Sequence, residues 1–397
     1  MDTLENGVPF TEMLHCVKVS VEILRFYAGM SNKIKGSTIP ADEVNLMSFT
    51  VREPMGVVGI IIPWNSPMIM FAKTVGPALI CGNCVIIKPA PQTSLSALFI
   101  ASLVDKIKFP IGVFNVLPGG PETGRLLTES VDINAVTFTG SCETGKKVIH
   151  SSASSNLKRI TLELGGKSPL VIFDDVHDLD NAAKTAFDAL FVSNGQICCS
   201  ATRIYVQKTV YKQFIEKIVV LAKNRVLGDP SLETTEQGPQ IDENAVQRIM
   251  AFIQNAQKEG ARLVTGGKRI ENTLFVEPTV FVDVTEDMQI GKEEIFGPVM
   301  QIFQFSTFEE VVERSNLTRF GLASGVFTRD ISKAMSFARQ ICSGTCWINC
   351  YFSIRAQTPF GGYNQSGWGR EFGEAALDQY LETKCITINC LNKCIFG

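Results

Sequence analysis

Short apolar runs alternate with helix-length stretches along most of the chain, and no other feature narrows the fold so far. "GVVGIIIPW" reads as a strand and "PMIMFAKTVGPALICG" as a helix. "CVIIKPA" and "SLSALFIASLVDKI" repeat the pair, as do "GVFNVLPG" with "ETGRLLTES" and "INAVTFTG" with "ETGKKVIHSSAS". "RITLELGG" and "SPLVIFDD" are further strands. A βαβα rhythm of this kind predicts an α/β fold built on a doubly wound parallel sheet. After residue 170 the rhythm restarts with "DLDNAAKTAFDALFVSNG", "ATRIYVQ" and "TVYKQFIEKIVVLAKNRV", which predicts a second α/β unit. A length of 397 residues suits two or three units at roughly 150 residues each.

Bulk chemistry removes several function classes. A net charge of −3 leaves no broad basic surface for phosphates, so a nucleic-acid partner is not expected. The longest apolar run lies near residues 55–64, short of the roughly 20 residues that span a bilayer. The polar, acidic start "MDTLENGVPF" is unlike a signal peptide, and a cytoplasmic location is expected. Without a secretory signal, the twelve cysteines read as reduced thiols in apolar surroundings. Cys342, Cys346 and Cys350 are four apart, and Cys385, Cys390 and Cys394 lie near the C-terminus; Cys346 and Cys350 flank "WIN", which reads as strand rather than a ligand loop, so no metal is expected.

"SNGQICCSATRIYV" places two adjacent thiols, Cys198 and Cys199, behind a Gly-Gln turn. Alone, such a cysteine reads as packing. "FTGSCETGKK" has G-x-x-x-x-G-K spacing from Gly140 to Lys146, between a strand and a helix. Lys147 stands where a P-loop needs Ser or Thr, and no clear Walker-B aspartate follows. The same turn, with its backbone N–H groups and helix N-terminus, suits a dinucleotide pyrophosphate.

Six segments stand together: "PWNSP" (63–67), "IIKPAP" (86–91), "FTGSCETG" (138–145), "TLELGGKSP" (161–169), "NGQICCS" (194–200) and "EEIFGPV" (293–299). In this order and approximate spacing they resemble the aldehyde dehydrogenase superfamily, over essentially the whole chain. The resemblance implies a Rossmann-like cofactor domain over 1–34 and 55–164, a catalytic α/β domain over 165–372, and a small β oligomerisation flap from 35–54 and 380–397. Family members usually carry a sizeable segment before the match to "ENGVPF", and few strands are expected before Gly165. The cofactor domain is therefore expected to be N-terminally incomplete, with exposed apolar surface and poor soluble activity. A homodimer or homotetramer is the implied assembly where the N-terminus is complete.

The family's nucleophile matches Cys198, its oxyanion donor Asn65 and its general base Glu163. The implied reaction oxidises a small-molecule aldehyde to a carboxylic acid with NAD(P)+, through a thiohemiacetal and a thioester on Cys198. A thiolate is the reactive form, so nearby positive charge or dipoles are expected to favour it. Burial between leucines would raise the Glu163 pKa towards that of a useful base. Trp64, Lys88, Gly120, Gly140, Ser141, Glu294 and Phe296 match cofactor-binding positions. Each residue also has a plainer reading: Glu163 as a strand carboxylate facing solvent, Asn65 as a cap for a helix near Pro67, and Phe296 as core packing.

Three departures qualify the match. Pro91 replaces a glutamate that accepts from the ribose 2′-hydroxyl in many NAD-using members, so NAD is favoured and NADP stays open. Lys73 and Thr74 stand where an aromatic–Lys pair is usual. The missing lysine would pair with Glu371 in a proton relay, so that relay is expected to be lost. Ser66 and Lys73 in place of aromatic residues predict a more polar channel, open to polar or carboxylate-bearing aldehydes. The competing readings are a catalytically poor or inactive truncated member with a structural, crystallin-like role, a cysteine hydrolase and a CoA-acylating relative. A hydrolase would need a motif-borne histidine, and the CoA-acylating members generally lack the glutamate.

Overall fold

The computed structural model describes residues 1–40, 43 and 45–389. Two strands come first, β1 (Thr38–Ile39) and β2 (Leu46–Pro54). Five more follow: β3 (Val57–Ile61), β4 (Cys84–Lys88), β5 (Phe114–Val116), β6 (Ala135–Thr139) and β7 (Arg159–Glu163). These five pair in parallel in the order β7-β6-β3-β4-β5. The apolar runs are the reason. In β3 and β6 nearly every residue is buried on both faces, which only a sheet covered on each side can satisfy. The five apolar runs read before Gly165 thus each form a strand of this sheet.

Seven strands make the second sheet: β8 (Ser168–Ile172), β9 (Ala201–Gln207), β10 (Arg262–Thr265), β11 (Thr279–Val282), β12 (Val299–Phe305), β13 (Ala323–Phe327) and β14 (Thr345–Ile348). Their order is β10-β11-β12-β9-β8-β13-β14, parallel except for β10 at the edge. Two late strands return to earlier sheets. β15 (Gly367–Trp368) pairs antiparallel with β7 and lies in the first sheet, although its residues fall in the stretch expected to be catalytic. β16 (Leu381–Asn389) pairs antiparallel with β2, giving the order β1-β2-β16. The remainder of the expected flap, 390–397, with Cys390 and Cys394, lies outside the described residues.

Helices α1 (Asp2–Asn6) and α2 (Phe10–Ala28) precede the sheets. Met13, Ser20, Ile23 and Tyr27 of α2 recur at helical spacing and are buried. Tyr27 packs on α3 (Pro67–Ile80) at Gly76, where an added Cβ would stand 3.0 Å from the tyrosine ring. The remaining helices near the site are α4 (Leu95–Lys106), α5 (Pro121–Glu129), α6 (Cys142–Ser154) and α7 (Leu179–Phe191). Phe10, Leu14, Val17 and Val21 on α2, and Leu95, Phe99 and Leu103 on α4, are exposed. No helix among the described residues is long and apolar enough to cross a membrane.

Candidate active site

The first sheet changes direction at β3: β4 and β5 lie to one side, β6 and β7 to the other. A crevice opens at such a switch point, outside the carboxyl ends of the strands. Residues 63–65 leave β3 there, and 139–141 leave β6. Together with Glu294 and Phe296 they line a cavity of about 630 Å³. Five of the seven expected cofactor residues, Trp64, Gly140, Ser141, Glu294 and Phe296, meet in it. The Trp64 and Phe296 rings stand edge to face, 5.5 Å between centroids. Phe296 holds a left-handed φ of 56°, a conformation that a bulky residue adopts only when its surroundings enforce it.

The cavity fits NAD+. Ser141 caps α6 by accepting from Thr144 N at 3.2 Å, leaving the helix N-terminus beside the cavity. The buried Thr139 Oγ1 has no protein partner and lies in the same wall. Glu294 Oε1 accepts from Gly166 N at 3.0 Å. Burial pushes the Glu294 carboxyl up to about 7, against the pull of that N–H. Lys88 and Gly120 do not line this cavity. Lys88 is buried at the end of β4, donates from Nζ to Pro89 O at 3.0 Å and touches Gly124 of α5. Gly120 is the N-cap of that helix. Both lie on the β4–α5 side, next to Pro91, which opens a short 3₁₀ turn. Arg248, from a helix over Glu243–Lys258, completes the cavity wall and had no signal in the motifs.

A second, larger cavity of about 1400 Å³ opens on the other side of Cys198. Val19, Ile69, Met70, Ile197, Phe352 and Ile354 give it an apolar wall. Thr11, Glu12 and His15 of α2 also reach it. Only Met70 and Cys198 line both cavities. Cys198 thus stands where two spaces meet, one shaped for a dinucleotide and one for an apolar chain.

The turn before Cys198 puts it there. Ser193, Asn194 and Gly195 take left-handed φ values of 51°, 59° and 75° in succession. The two non-glycine residues cost roughly 1–3 kcal/mol each in such a conformation. Gly195 has no alternative: a Cβ would stand 2.4 Å from the carbonyl carbon of Gly297. Asn194 is held by donating to Pro239 O at 2.9 Å and accepting from Gly238 N at 2.8 Å. Asn65 is buried and donates from Nδ2 to Gln196 O at 2.8 Å, which ties the end of β3 to the same turn. Asn65 does not cap α3, whose N-cap is Ser66.

Cys198 Sγ lies 2.8 Å from Glu163 Oε1. The hydrogen bond with Cys199, burial and the Glu163 charge push its thiol well above the ordinary cysteine range, outweighing Lys73. The expectation of a charge-favoured thiolate is corrected: the resting geometry holds a neutral thiol against a carboxylate. Glu163 is 2% exposed, not solvent-facing. Cys199 is buried, and its carbonyl accepts from Tyr351 at 2.9 Å.

The expected loss of the lysine contact is also corrected. Thr74 turns back along α3 and donates to Met70 O at 2.7 Å. Lys73, one residue earlier, supplies the cation instead. Its Nζ stands 2.6 Å from Glu163 Oε2 and 2.5 Å from Glu371 Oε2, and all three side chains are buried. Burial works against the Lys73 charge, but the two carboxylates outweigh it and hold the ammonium well above the usual lysine range. Glu371 is pushed up by burial and by Glu163, against Lys73. Because the ammonium is engaged, it does not make the apolar cavity a polar channel. The sequence carried a signal for this: Lys73 is the lone charge in α3, and a buried charge needs a partner.

Comparison with known proteins agrees with this geometry. The aldehyde dehydrogenase family model matches residues 1–386. The chain is 49% identical to retinal dehydrogenase 2 of Gallus gallus, covering 99% of this chain and 76% of that protein. It is 48% identical to aldehyde dehydrogenase 1A1 of Gallus gallus, at 99% and 77% coverage. An NAD+ complex of aldehyde dehydrogenase from Bacillus cereus superposes with a TM-score of 0.95 at 44% identity, covering 98% of this chain and 79% of that one. A point mutant of betaine aldehyde dehydrogenase of Staphylococcus aureus, also with NAD+, gives 0.96 at 34% identity, covering 99% of this chain and 81% of that one. With an α/β fold, an NAD+-shaped cavity at the switch point and a family match across nearly its whole length, the chain belongs to the aldehyde dehydrogenase family and is an NAD-dependent oxidoreductase acting on aldehydes.

Proposed function

We propose that the enzyme oxidises a bulky apolar aldehyde to its carboxylic acid, with Cys198 as nucleophile and Glu163 as general base. The observation that carries this is the position of Cys198 between the two cavities, with its sulfur on Glu163. Retinal, the aldehyde for which several relatives are named, belongs to this class. The apolar wall supports it over the polar aldehydes that Ser66 and Lys73 suggested.

The thiol proton passes to Glu163 as sulfur adds to the aldehyde carbon. The new oxyanion accepts from the second N–H of Asn65 Nδ2 and from the Cys198 backbone N–H. NAD+ supplies the hydride acceptor when bound, and the hemithioacetal becomes a thioester. Glu294 and Phe296 would hold its nicotinamide ribose and ring, Gly140 and Ser141 its pyrophosphate, Trp64 would contact it through its backbone, and Lys88 and Gly120 would lie at its adenosine half. Glu163 then takes a proton from the water that hydrolyses the thioester, releasing the acid and restoring the thiol. Lys73 and Glu371 keep Glu163 aimed between sulfur and water and offer its protons a way out.

The test is an aldehyde panel followed by NADH absorbance, on this chain and on Cys198→Ala. Turnover of apolar aldehydes that vanishes in the variant supports the reading. Turnover that survives in Cys198→Ala sinks it.

A further inference from the structure

The turn that delivers Cys198 carries strain, and its first residue is held by a side chain from a distant part of the chain. Asn194 is held by several side-chain bonds; the Ser193 carbonyl accepts from Gln196 N at 3.0 Å, while its N–H and hydroxyl both go to one side chain. Glu12 Oε2 accepts from Ser193 N at 2.7 Å and from Ser193 Oγ at 3.1 Å. Glu12 lies on α2, 181 residues away in sequence, in the wall of the apolar cavity. Among the described residues it makes no ion pair. Arg225 and Asp188 are the charged groups that act on it from α7 and beyond, and Arg225 is itself engaged with Phe191 O and Glu236 O. Burial pushes the Glu12 carboxyl up, and the Ser193 N–H opposes this most. A half-buried carboxylate without a paired cation is costly, and here its visible use is the two bonds to a left-handed serine.

We propose that Glu12 is a positioning residue for the reaction: through Ser193 it holds residues 193–195 in their left-handed turn and so fixes Cys198 Sγ against Glu163. This rests on the reading of Cys198 as nucleophile. Two residues, Gln196 and Ile197, separate the turn from Cys198, and Gln196 O links it to Asn65. If Ser193 relaxes to negative φ, both the sulfur and the oxyanion donor shift. Cys198 and Asn65 also line the cofactor cavity, but Trp64, Gly140, Ser141, Glu294 and Phe296 lie on other segments, so NAD+ binding is largely spared.

The experiment uses the full chain with propanal and NAD+, and reads kcat, KM for NAD+, the iodoacetamide alkylation rate of Cys198 and melting temperature. Glu12→Ala is expected to lower kcat about tenfold or more and to slow alkylation, with KM for NAD+ within about twofold. Glu12→Gln keeps an oxygen for Ser193 N and is expected within about threefold of the parent. Combining Glu12→Ala with Ser193→Gly recovers part of the loss, because glycine takes the left-handed conformation unaided. Wild-type kcat and alkylation in folded Glu12→Ala would overturn the proposal. So would a loss in Glu12→Gln as large as in Glu12→Ala. If Glu12→Ala does not fold, Glu12→Asp, which withdraws the carboxylate from Ser193, is read by the same criteria. Parent activity that does not depend on Cys198 points instead to failure of the underlying reading.

Discussion

The two cavities that meet at Cys198 are built by different means. The cofactor side is made mostly of strand ends and a helix N-terminus, from short motifs that leave β3, β6 and β7. The substrate side is made of side chains from α2, α3, the 192–199 turn and residues 352–372. Backbone geometry at a switch point follows from topology and tolerates sequence change. A wall of side chains changes with every substitution. The first side is therefore the family's common property, and the second is where this chain is individual.

Removing the shared element has the largest effect. Cys198→Ala is expected to lower aldehyde oxidation by about 10⁴ or more while leaving NAD+ affinity near that of the parent. Steady-state kinetics with calorimetric NAD+ titration checks both halves. If NAD+ affinity falls equally, the two cavities are not separate.

Lys73→Met comes next, and it strikes the substrate side. It leaves Glu163 and Glu371 buried together without their cation. Breaking a buried ion pair costs about 3–5 kcal/mol, so a lower denaturation midpoint is expected, with kcat down about 10- to 100-fold. Denaturant unfolding and kinetics on the same preparation measure these. A stability unchanged from the parent would mean that the contacts are replaceable.

Glu294→Gln tests the cofactor side through pH. The folded carboxyl keeps its proton up to about 7, against an ordinary value of 4.5. Above that pH it is a carboxylate and accepts fully from ribose hydroxyls, so NAD+ binding should tighten from pH 6 to 8. In Glu294→Gln this slope should flatten. Between the two values the folded state binds more protons than the unfolded state, so this group's contribution to stability falls as pH rises through 4.5–7. The variant's melting temperature should lose that component.

The smallest effect is expected at Pro91, on the cofactor rim. Pro91→Glu supplies an acceptor for a 2′-hydroxyl and repels a 2′-phosphate, and a shift of about three- to tenfold towards NAD+ over NADP+ is expected in kcat/KM. An unchanged ratio would mean that residue 91 does not face the ribose.

Legibility followed the same division. "PWNSP" and "EEIFGPV" could be read as cofactor segments only through their resemblance to the family, "FTGSCETG" also through its turn and helix N-terminus, and five of the seven matched residues meet in one cavity. Lys73 was misread because a match by position treats a lysine one residue along as missing. A helix turns 100° per residue, but a lysine's four-carbon arm reaches across that difference, and Glu163 and Glu371 provide the reason to do so. Glu12 had no motif at all. Its meaning lies in a contact with Ser193 across 181 residues.

The sequence by itself determined the α/β rhythm and the family that its short motifs resemble, since periodicity and short motifs are local properties. Only the tertiary structure decided that Lys73 holds the carboxylates, that the resting thiol is neutral, and that β15 returns to the first sheet. Each of these depends on which charges and edges are brought together, and burial makes unpaired charges and unpaired strand edges costly enough to select the partner.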